Sequence, residues 1–392
     1  MHSSGGQIKQ AVTTLENKRV LVTGGAGFIG CHLVKRLADE GAHVVVLDSL
    51  LEQVHGKNAV FPEFAGNVEL VQGDIRDRRL VEKTLEIGFD YIYHLAALTG
   101  VGQSMYEIEE YVDVNCRGTA TLLDAVINFT KKLKKIVLSS SRAVYGEGCC
   151  RCQTCNLTFY PDMRGRERLD GHLWEHPCPE CGCDSQPVES TESSLLRPTS
   201  VYGITKMMQE QLWQTIALSY RIPYTILRYF NVYGPGQSLR NPYTGILSIF
   251  SRRLKNGEFV EVYEDGKELR DFVYVGDVCE ANLLARRPDI TGAINICSGE
   301  RTNVYDIARH LADICGSPSN GFGITGHYRI GDIRHGIGSS DLARRVLNYN
   351  PSVGLRQGLE LLVNSAFKED LSSLSGVDRL AQGELQARGL SD

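Results

Sequence analysis

The length, composition and charge of this chain describe a sizeable globular protein without a general affinity for anions. Its 392 residues are 42% hydrophobic, which is enough for one large domain and a smaller one. With a formal net charge of -5 it has no basic surface overall, so we predict that neither a nucleic acid polymer nor a membrane is its partner. No apolar run reaches the ~18 residues of a membrane span, and the polar segment 1–17 lacks the apolar core of a secretory signal. We therefore expect a cytoplasmic protein.

From residue 19 onward, short apolar runs alternate with helical segments. A helix is predicted at 28–40, and buried strands are predicted at 20–22, 43–47, 68–72, 91–95, 136–140 and 224–229. Runs that are apolar throughout, rather than at every second residue, are typical of strands covered on both faces. The order predicts an α/β fold with a doubly wound parallel sheet.

The turn after the first predicted strand carries Gly24, Gly27 and Gly30. Glycines at this spacing permit a tight turn, a close approach of pyrophosphate to the backbone, and close packing of the next helix, whose N-terminus attracts phosphate. Asp48 ends the second strand, where a carboxylate can bind ribose hydroxyls and repel a 2′-phosphate. The turn predicts a dinucleotide site that prefers NAD to NADP.

A cysteine-rich segment, predicted to span 149–185, follows the fifth strand. It contains two C-x-x-C pairs separated by 22 residues, the spacing of a zinc ribbon: Cys152, Cys155, Cys178 and Cys181. Disulfides and free thiols are the alternatives, and the nearby residues Cys149, Cys150, Cys183, His172 and His176 leave open a shifted ligand set. Four thiolates would fill the metal, so we predict a structural zinc without a catalytic role.

Beyond residue 235 the pattern is less regular. Helices are predicted at 246–255 and 304–315, and strands at 259–263 and 272–275. We predict a dinucleotide-binding domain over 18–235 and a mainly substrate-binding lobe over 236–367. The ends are predicted to be a flexible tail at 1–17 and a polar, loosely docked tail without an apolar face at 368–392.

Further stretches follow the glycine turn in a fixed order. They are Gly73-Asp74-Ile75, His94-Leu95-Ala96-Ala97, Asn115, Ser139-Ser140-Ser141, Val144-Tyr145-Gly146, Tyr202-x-x-x-Lys206, Arg228-Tyr229-Phe230-Asn231-Val232-Tyr233-Gly234-Pro235, Arg270-Asp271-Phe272-Val273 and Arg329-Ile330-Gly331-Asp332. Over roughly residues 19 to 360 the chain resembles the extended short-chain dehydrogenase/reductases, and among them the NAD-dependent nucleotide-sugar epimerases and dehydratases.

This resemblance implies a Rossmann-like fold that binds NAD and a nucleotide-diphosphate sugar. In it, Asp74 and Ile75 would lie by the adenine, and Asn115 would anchor the active-site helix. The implied cofactor contacts are Gly24, Gly27, Phe28, Ile29, Gly30, Asp48, Asp74, Ile75, Leu95, Ala96, Ala97, Thr99, Asn115, Tyr202 and Lys206. The implied substrate contacts are Ser141, Arg142, Asn231, Arg270 and Arg329, among which the arginines supply the charge that a buried diphosphate requires.

The resemblance also implies Ser141, Tyr202 and Lys206 as catalytic residues. A phenol with an ordinary pKa near ~10 is a poor base at neutral pH. Lys206 follows Tyr202 by four residues and so lies on the same helical face, where its ammonium group favours the phenolate. Ser141 would hydrogen-bond the reacting oxygen.

The residues after Ser141 help to distinguish among the types of reaction that this family catalyses. Dehydratases and decarboxylases that resemble this family place acids there, whereas this chain has Arg142 and Ala143. Cys149 and Cys150 do not match the Cys/His pair of 3,5-epimerases. Epimerisation at carbon four through a transient 4-keto sugar remains, and the run at 98–104 resembles UDP-galactose 4-epimerases. A dehydratase or keto-reductase, or a non-catalytic NAD-binding and zinc-ribbon interaction protein, are the alternatives.

The sequence does not identify the nucleotide or the sugar of the substrate. The run at 241–245 is similar to that of dTDP-rhamnose 4-epimerases, but UDP, GDP, CDP and ADP sugars remain alternatives, and Arg142 leaves the carbon open as well. The cysteine-rich segment departs from the sheet between Ser141 and Tyr202, so we expect it over the sugar pocket. The helix over 202–220 and the helix after Tyr111 match the four-helix interface of this family, which implies a homodimer.

Overall fold

A seven-stranded parallel sheet forms the centre of the computed structural model, which describes residues 14–57, 59–129, 133–241, 243, 245–367 and 377–392. The strands are β1 (Arg19–Thr23), β2 (His43–Asp48), β3 (Val68–Gln72), β4 (Tyr91–His94), β5 (Lys135–Ser141), β6 (Cys149–Cys152), β7 (Thr158–Phe159), β8 (Ser185–Val188), β9 (Tyr224–Tyr229), β10 (Asn231–Tyr233), β11 (Val260–Val262), β12 (Leu269–Arg270), β13 (Phe272–Tyr274), β14 (Gly292–Ile296), β15 (Thr302–Asn303) and β16 (Phe322–Ile324). The sheet has the order β14-β9-β5-β4-β1-β2-β3.

Helices cover both faces of this sheet. They are α1 (Phe28–Asp39), α2 (Glu52–His55), α3 (Arg78–Leu85), α4 (Val101–Ser104), α5 (Ile108–Val112), α6 (Gly118–Phe129), α7 (Arg166–Asp170), α8 (Val201–Tyr220), α9 (Ile246–Lys255), α10 (Val275–Ala285), α11 (Val304–Cys315), α12 (Asp341–Leu347), α13 (Leu355–Ala366) and α14 (Val377–Ala387). One apolar core lies under α1, α10 and α12, and a second lies under α3, α6 and α8. The apolar strands are therefore buried on both sides, and the predicted α/β parallel fold is confirmed.

A separate core holds the substrate lobe together. Helices α9, α11 and α13 pack with β11 around Phe250, Leu254, Ile307, Leu311 and Leu362. The short pair β12 and β15 and the pair β10 and β13 connect this lobe to the carboxyl end of β9. The lobe therefore stands over the end of the sheet where the glycine turn also lies.

The cysteine-rich insertion folds as a small antiparallel sheet, with β6 between β7 and β8. Its own apolar residues are few. Leu169 and Trp174 are buried because they pack against Tyr328 and Ile330 of the substrate lobe. The insertion thus completes its core with side chains from a neighbouring part of the chain.

The ends of the chain differ from the predicted tails. Residues 1–13 and 368–376 lie outside the described residues, but Leu15 is fully buried in the main core. The prediction of a tail without an apolar face is wrong for 377–392, where helix α14 buries Ala381 and Leu385. Among the described residues, no helix combines the length and the apolar character needed to cross a membrane.

Candidate active site

The glycine turn is shaped by close backbone packing. Gly24 has φ +72, and a Cβ there would lie 2.6 Å from the backbone nitrogen of Ala96. At Gly30 a Cβ would lie 2.2 Å from the carbonyl oxygen of Gly24. Both positions therefore require glycine. The turn leads into the N-terminus of α1 at Phe28, which opens onto a large cavity.

This cavity has a volume of about 660 Å³ and runs from the glycine turn to the substrate lobe. The predicted cofactor residues Gly24, Gly27, Phe28, Ile29, Gly30, Asp48, Asp74, Ile75, Leu95, Ala96, Ala97, Thr99, Tyr202 and Lys206 all line it. So do the predicted substrate residues Ser141, Arg142, Asn231, Arg270 and Arg329. The structure thus brings together residues from almost the whole length of the chain.

Asp48 and Asp74 are held by hydrogen bonds at the dinucleotide end of the cavity. The carboxylate of Asp48 accepts bonds from the backbone nitrogens of Ala26 and Leu50, both at 2.9 Å. Arg76 donates to both oxygens of Asp74, at 3.0 and 2.7 Å. Burial raises the pKa of Asp74, but these bonds outweigh it and hold the pKa below its usual value. Both carboxylates therefore have fixed positions.

Asn115 lies behind the cavity wall rather than on it. It is fully buried in a π-helical turn, Asp113–Arg117. Its amide accepts from the nitrogen of Leu98 at 2.8 Å and donates to the hydroxyl of Thr205 at 2.9 Å. Asn115 is therefore not among the residues that line the cavity. Asn115 instead ties the loop after β4 to helix α8.

Ser141 and Tyr202 both line the cavity. Ser141 ends β5, and Tyr202 lies in the first turn of α8, whose start is capped by Ser200. Burial raises the pKa of Tyr202 above its usual value, and the neighbouring Ser141 hydroxyl opposes this shift. A Cβ at Gly203 would lie 2.6 Å from the carbonyl oxygen of Ala143. This glycine, which the sequence analysis missed, allows the approach of α8 to the end of β5.

Lys206 lies one helical turn after Tyr202 and is buried. Its Nζ donates to the carbonyl oxygen of Ser139 at 2.9 Å. Burial lowers the pKa of Lys206 to about 8, while the nearby Glu210 opposes this shift. The hydrogen bond to β5 fixes the ammonium group beside the strand end that carries Ser141.

Arg142 and Arg270 contribute positive charge to the substrate side of the cavity. Arg142 donates to the carbonyl oxygen of Gly146 at 2.5 Å, and Arg270 donates to the carbonyls of Leu269, Ile333 and Arg334 at 2.9 to 3.0 Å. Burial and the neighbouring Arg270 lower the pKa of Arg142 to about 10. Among the described residues, neither arginine has a carboxylate within ion-pair distance. Their charge is therefore available to an anion.

The other predicted substrate residues also face this space. The Oδ1 of Asn231 is buried and has no partner among the described residues, so it is open to a ligand donor. The guanidinium of Arg329 stacks 5.0 Å from the ring centre of Tyr263.

Two groups of lining residues were missed in the sequence. Glu268, which is 5% exposed, faces the cavity with an unpartnered Oε2. Burial and the nearby Glu264 raise its pKa to about 7, although Arg270 opposes them. Helix α14 adds Ala381, Gln382 and Leu385 to the wall. No motif signals either group, because neither carries a recognisable spacing.

The four predicted cysteines gather at one point of the insertion. The sulfurs of Cys152, Cys155, Cys178 and Cys181 all lie within 4.8 Å of one another. The Sγ atoms of Cys152 and Cys181 are 3.4 Å apart, and those of Cys155 and Cys178 are 3.3 Å apart. These distances exceed the ~2.05 Å of a disulfide bond.

Comparisons with known proteins agree with this geometry. The sequence matches the NAD dependent epimerase/dehydratase family over residues 20–163 and 178–297, and the unmatched stretch lies in the cysteine-rich insertion. It is 40% identical over 351 residues to the dTDP-L-rhamnose 4-epimerase of Burkholderia thailandensis, which covers 88% of this chain and 94% of that protein.

Two solved structures are similar throughout. The UDP-glucose 4-epimerase of Thermus thermophilus in complex with NAD has a TM-score of 0.71 at 28% identity, covering 90% of this chain and 100% of that one. The UDP-N-acetylglucosamine 4-epimerase of Methanobrevibacter ruminantium in complex with UDP-N-acetylmuramic acid has a TM-score of 0.72 at 28% identity, covering 90% and 99%. The chain belongs to the NAD dependent epimerase/dehydratase family.

Proposed function

We propose that this protein is an NAD-dependent epimerase that inverts carbon four of a nucleotide-diphosphate sugar. The observation that carries the proposal is that Ser141, Tyr202 and Lys206 all line one cavity, which is also lined by the glycine turn and by Arg270. A group at this place can take a proton from a sugar hydroxyl while both ligands are held.

The residues at the glycine turn fit NAD. Side chains at Gly24 and Gly30 would collide with backbone, so the turn stays open to a pyrophosphate at the start of α1. Asp48, fixed at the end of β2, disfavours a 2′-phosphate. The glycine turn and Asp48 would hold NAD, which would supply the hydride acceptor and donor for the sugar carbon.

The side chains supply the proton transfers. Tyr202 takes the proton of the hydroxyl at carbon four, and Ser141 hydrogen-bonds the same oxygen as it becomes a carbonyl. The charge of Lys206 lowers the cost of the phenolate. Arg270 and Arg329 hold the diphosphate while the keto sugar rotates to present its other face, and Tyr202 then returns its proton to the same oxygen. Arg142 and Ala143 provide no acid for the elimination of water, which favours epimerase over dehydratase.

A panel of nucleotide sugars without added cofactor tests this proposal. A dTDP-linked 6-deoxyhexose comes first because of the 40% identical relative. UDP, GDP, CDP and ADP sugars follow, with products identified by NMR. Conversion to a stereoisomer of equal mass is expected. Loss of water would indicate a dehydratase, and the absence of any conversion would indicate a binding protein.

Substrate affinity is expected to fall as pH rises through about 7. Glu268 is neutral below its pKa of about 7 and anionic above it, beside Arg270 and the diphosphate. A nucleotide sugar has no phosphate that titrates near neutral pH, so the change reports the protein. Calorimetry between about pH 6 and pH 8 should show a several-fold weaker binding at the higher pH. A Glu268→Gln variant that keeps the full pH dependence would refute this role.

The cysteine cluster is proposed to hold one structural zinc ion. Zinc–sulfur bonds of about 2.3 Å in a tetrahedron separate the sulfurs by about 3.8 Å, which the cluster accommodates with small adjustments. The insertion has few apolar residues of its own, so metal binding would contribute much of its folding free energy.

Purified protein is expected to contain one zinc per chain. Cys152→Ser or Cys178→Ser should lower the zinc content and loosen the insertion, while NAD stays bound, because the glycine turn lies outside the insertion. Cys183→Ser is the matched control, since Cys183 is exposed and not among the four gathered thiols. Metal analysis of metal-replete wild type that finds no zinc would contradict the assignment.

A homodimer is proposed through α5 and α8. These helices expose apolar side chains, Ile108 and Val112 on α5 and Ile204 and Met208 on α8, each 44 to 53% exposed. Light scattering should give twice the chain mass of 43.4 kDa, and Met208→Glu should shift it toward one chain. The mass of one chain for wild type at micromolar concentration would rule out this interface.

A further inference from the structure

Buried charges join the cysteine-rich insertion to the substrate lobe, a contact that the proposed mechanism does not use. Arg164 comes from the insertion, and Glu264 and Arg334 come from the lobe. Their side chains are at most 4% exposed. Charges removed from water to this degree require partners in fixed positions. The two parts of the protein therefore cannot shift relative to each other without a large cost.

Glu264 is the centre of this contact. Both terminal nitrogens of Arg164 donate to its two oxygens, at 2.8 and 2.7 Å. Arg334 donates to the same carboxylate at 2.9 Å. Arg164 also donates to the backbone carbonyl of Asp332 at 2.9 Å, so it holds the loop that follows Arg329.

Glu175 extends the contact from the insertion to Arg334 and His335 of that loop. Its Oε1 accepts from Nε and Nη2 of Arg334 at 2.9 and 2.7 Å, and its Oε2 lies 3.0 Å from Nε2 of His335. Burial raises the pKa of Glu175, but His335 and Arg334 outweigh it and hold the pKa at about 2. Glu175 is therefore ionised at any working pH.

The same loop orients Arg270. The carbonyl oxygens of Ile333 and Arg334 each accept a bond from its guanidinium at 2.9 Å. The Nδ1 of His335 accepts from the backbone nitrogen of Leu269, at 3.1 Å. The groups that hold Arg270 thus belong to residues that Glu175 holds in turn.

Apolar contacts support the backbone on both sides of Arg329. Leu169 and Trp174 of the insertion pack with Tyr328 and Ile330, which flank Arg329 on both sides. The insertion therefore supports the backbone beside both Arg270 and Arg329.

We propose that the cysteine-rich insertion is a positioning element for substrate binding, in which Glu175 fixes Arg334 and His335 and so orients Arg270. The inference rests on the proposed function for the identity of the ligand. Glu175 does not line the cavity, so it is a positioning residue and not a catalytic one. Its loss should weaken substrate binding more than it slows the chemical step.

Glu175→Gln tests this proposal in the full-length protein, with Glu167→Gln as the matched control on the exposed face of α7. Three quantities are measured: hydrogen–deuterium exchange in 328–336, the Kd of UDP and of dTDP by calorimetry, and kcat and KM. We expect faster exchange in 328–336, with Kd and KM raised roughly tenfold and kcat within about twofold of wild type. Exchange in the glycine turn and the retained NAD should not change, and the control should match wild type.

Unchanged exchange in 328–336 would overturn the proposal, as would faster exchange with an unchanged Kd. If Glu175→Gln does not fold, chelation of metal from wild type provides a second perturbation. Faster exchange confined to 149–185 would then overturn it, and faster exchange that also includes 328–336 would support it. Wild type that binds none of dTDP, UDP, GDP, CDP and ADP would contradict the proposed function, while the exchange data would still decide whether the insertion holds the loop.

Discussion

Replacing Tyr202 with phenylalanine is expected to lower turnover by roughly a thousandfold or more while NAD stays bound. The variant removes the hydroxyl that is the proposed proton acceptor but keeps the ring in the first turn of α8. NAD content is measured by absorbance after denaturation, and turnover by NMR.

The control for this variant is Tyr220→Phe, at the exposed end of the same helix. It should leave turnover unchanged. Turnover by Tyr202→Phe within about tenfold of wild type would show that another group carries the proton. Loss of NAD together with turnover would mean that the tyrosine acts mainly on cofactor binding.

Replacing Lys206 with methionine is expected to lower kcat by roughly a hundredfold. Methionine keeps the length of the side chain but removes the charge that favours the phenolate of Tyr202. It also leaves the carbonyl oxygen of Ser139 without its 2.9 Å donor, so a stability loss of about 1 to 3 kcal/mol should appear as a lower Tm. The loss of catalysis and the loss of stability can be told apart, because the first is measured as kcat below the melting transition and the second as Tm.

Addition of primary amines provides a second readout for Lys206. Partial recovery of kcat by a small alkylammonium ion would support an electrostatic role. A kcat for Lys206→Met within about threefold of wild type would mean that the lysine serves the fold alone.

The sheet and the candidate site residues that line the cavity could be predicted from the sequence because their signals are local. The glycine turn with Asp48, and Tyr202 with Lys206, each depend on a strand or helix that its own residues specify. Strand and helix predictions from 20–22 to 304–315 correspond to elements of the structure with boundaries shifted by a few residues at most. The ordering of these motifs on parallel strands then places them at one end of the sheet.

Contacts between segments that are distant in the sequence could not be predicted from it. Asn115 matches a family motif, but its side chain bonds to Leu98 and Thr205 behind the cavity wall, which only the packing of α8 determines. The segment at 377–392 reads as polar because two apolar residues, Ala381 and Leu385, suffice to dock it against a cavity built elsewhere.

The buried charges were missed for a related reason. Glu175 and Arg334 lie 159 positions apart, and nothing near either residue in the sequence marks them as partners. In a sequence, a charged residue is more often on the surface. Glu268 is also hidden, since its raised pKa comes first from burial, which the sequence around it does not reveal.

The most direct test of the central claim is the reaction run in D2O with the nucleotide sugar that the protein converts. Hydride removal and return at carbon four through bound NAD, with Tyr202 handling only the hydroxyl proton, should give the 4-epimer with no solvent deuterium on any carbon. NMR and mass spectrometry of the product measure this. Deuterium on a ring carbon, or a product lighter by one water, would require proton removal from carbon and would contradict the proposed 4-epimerase.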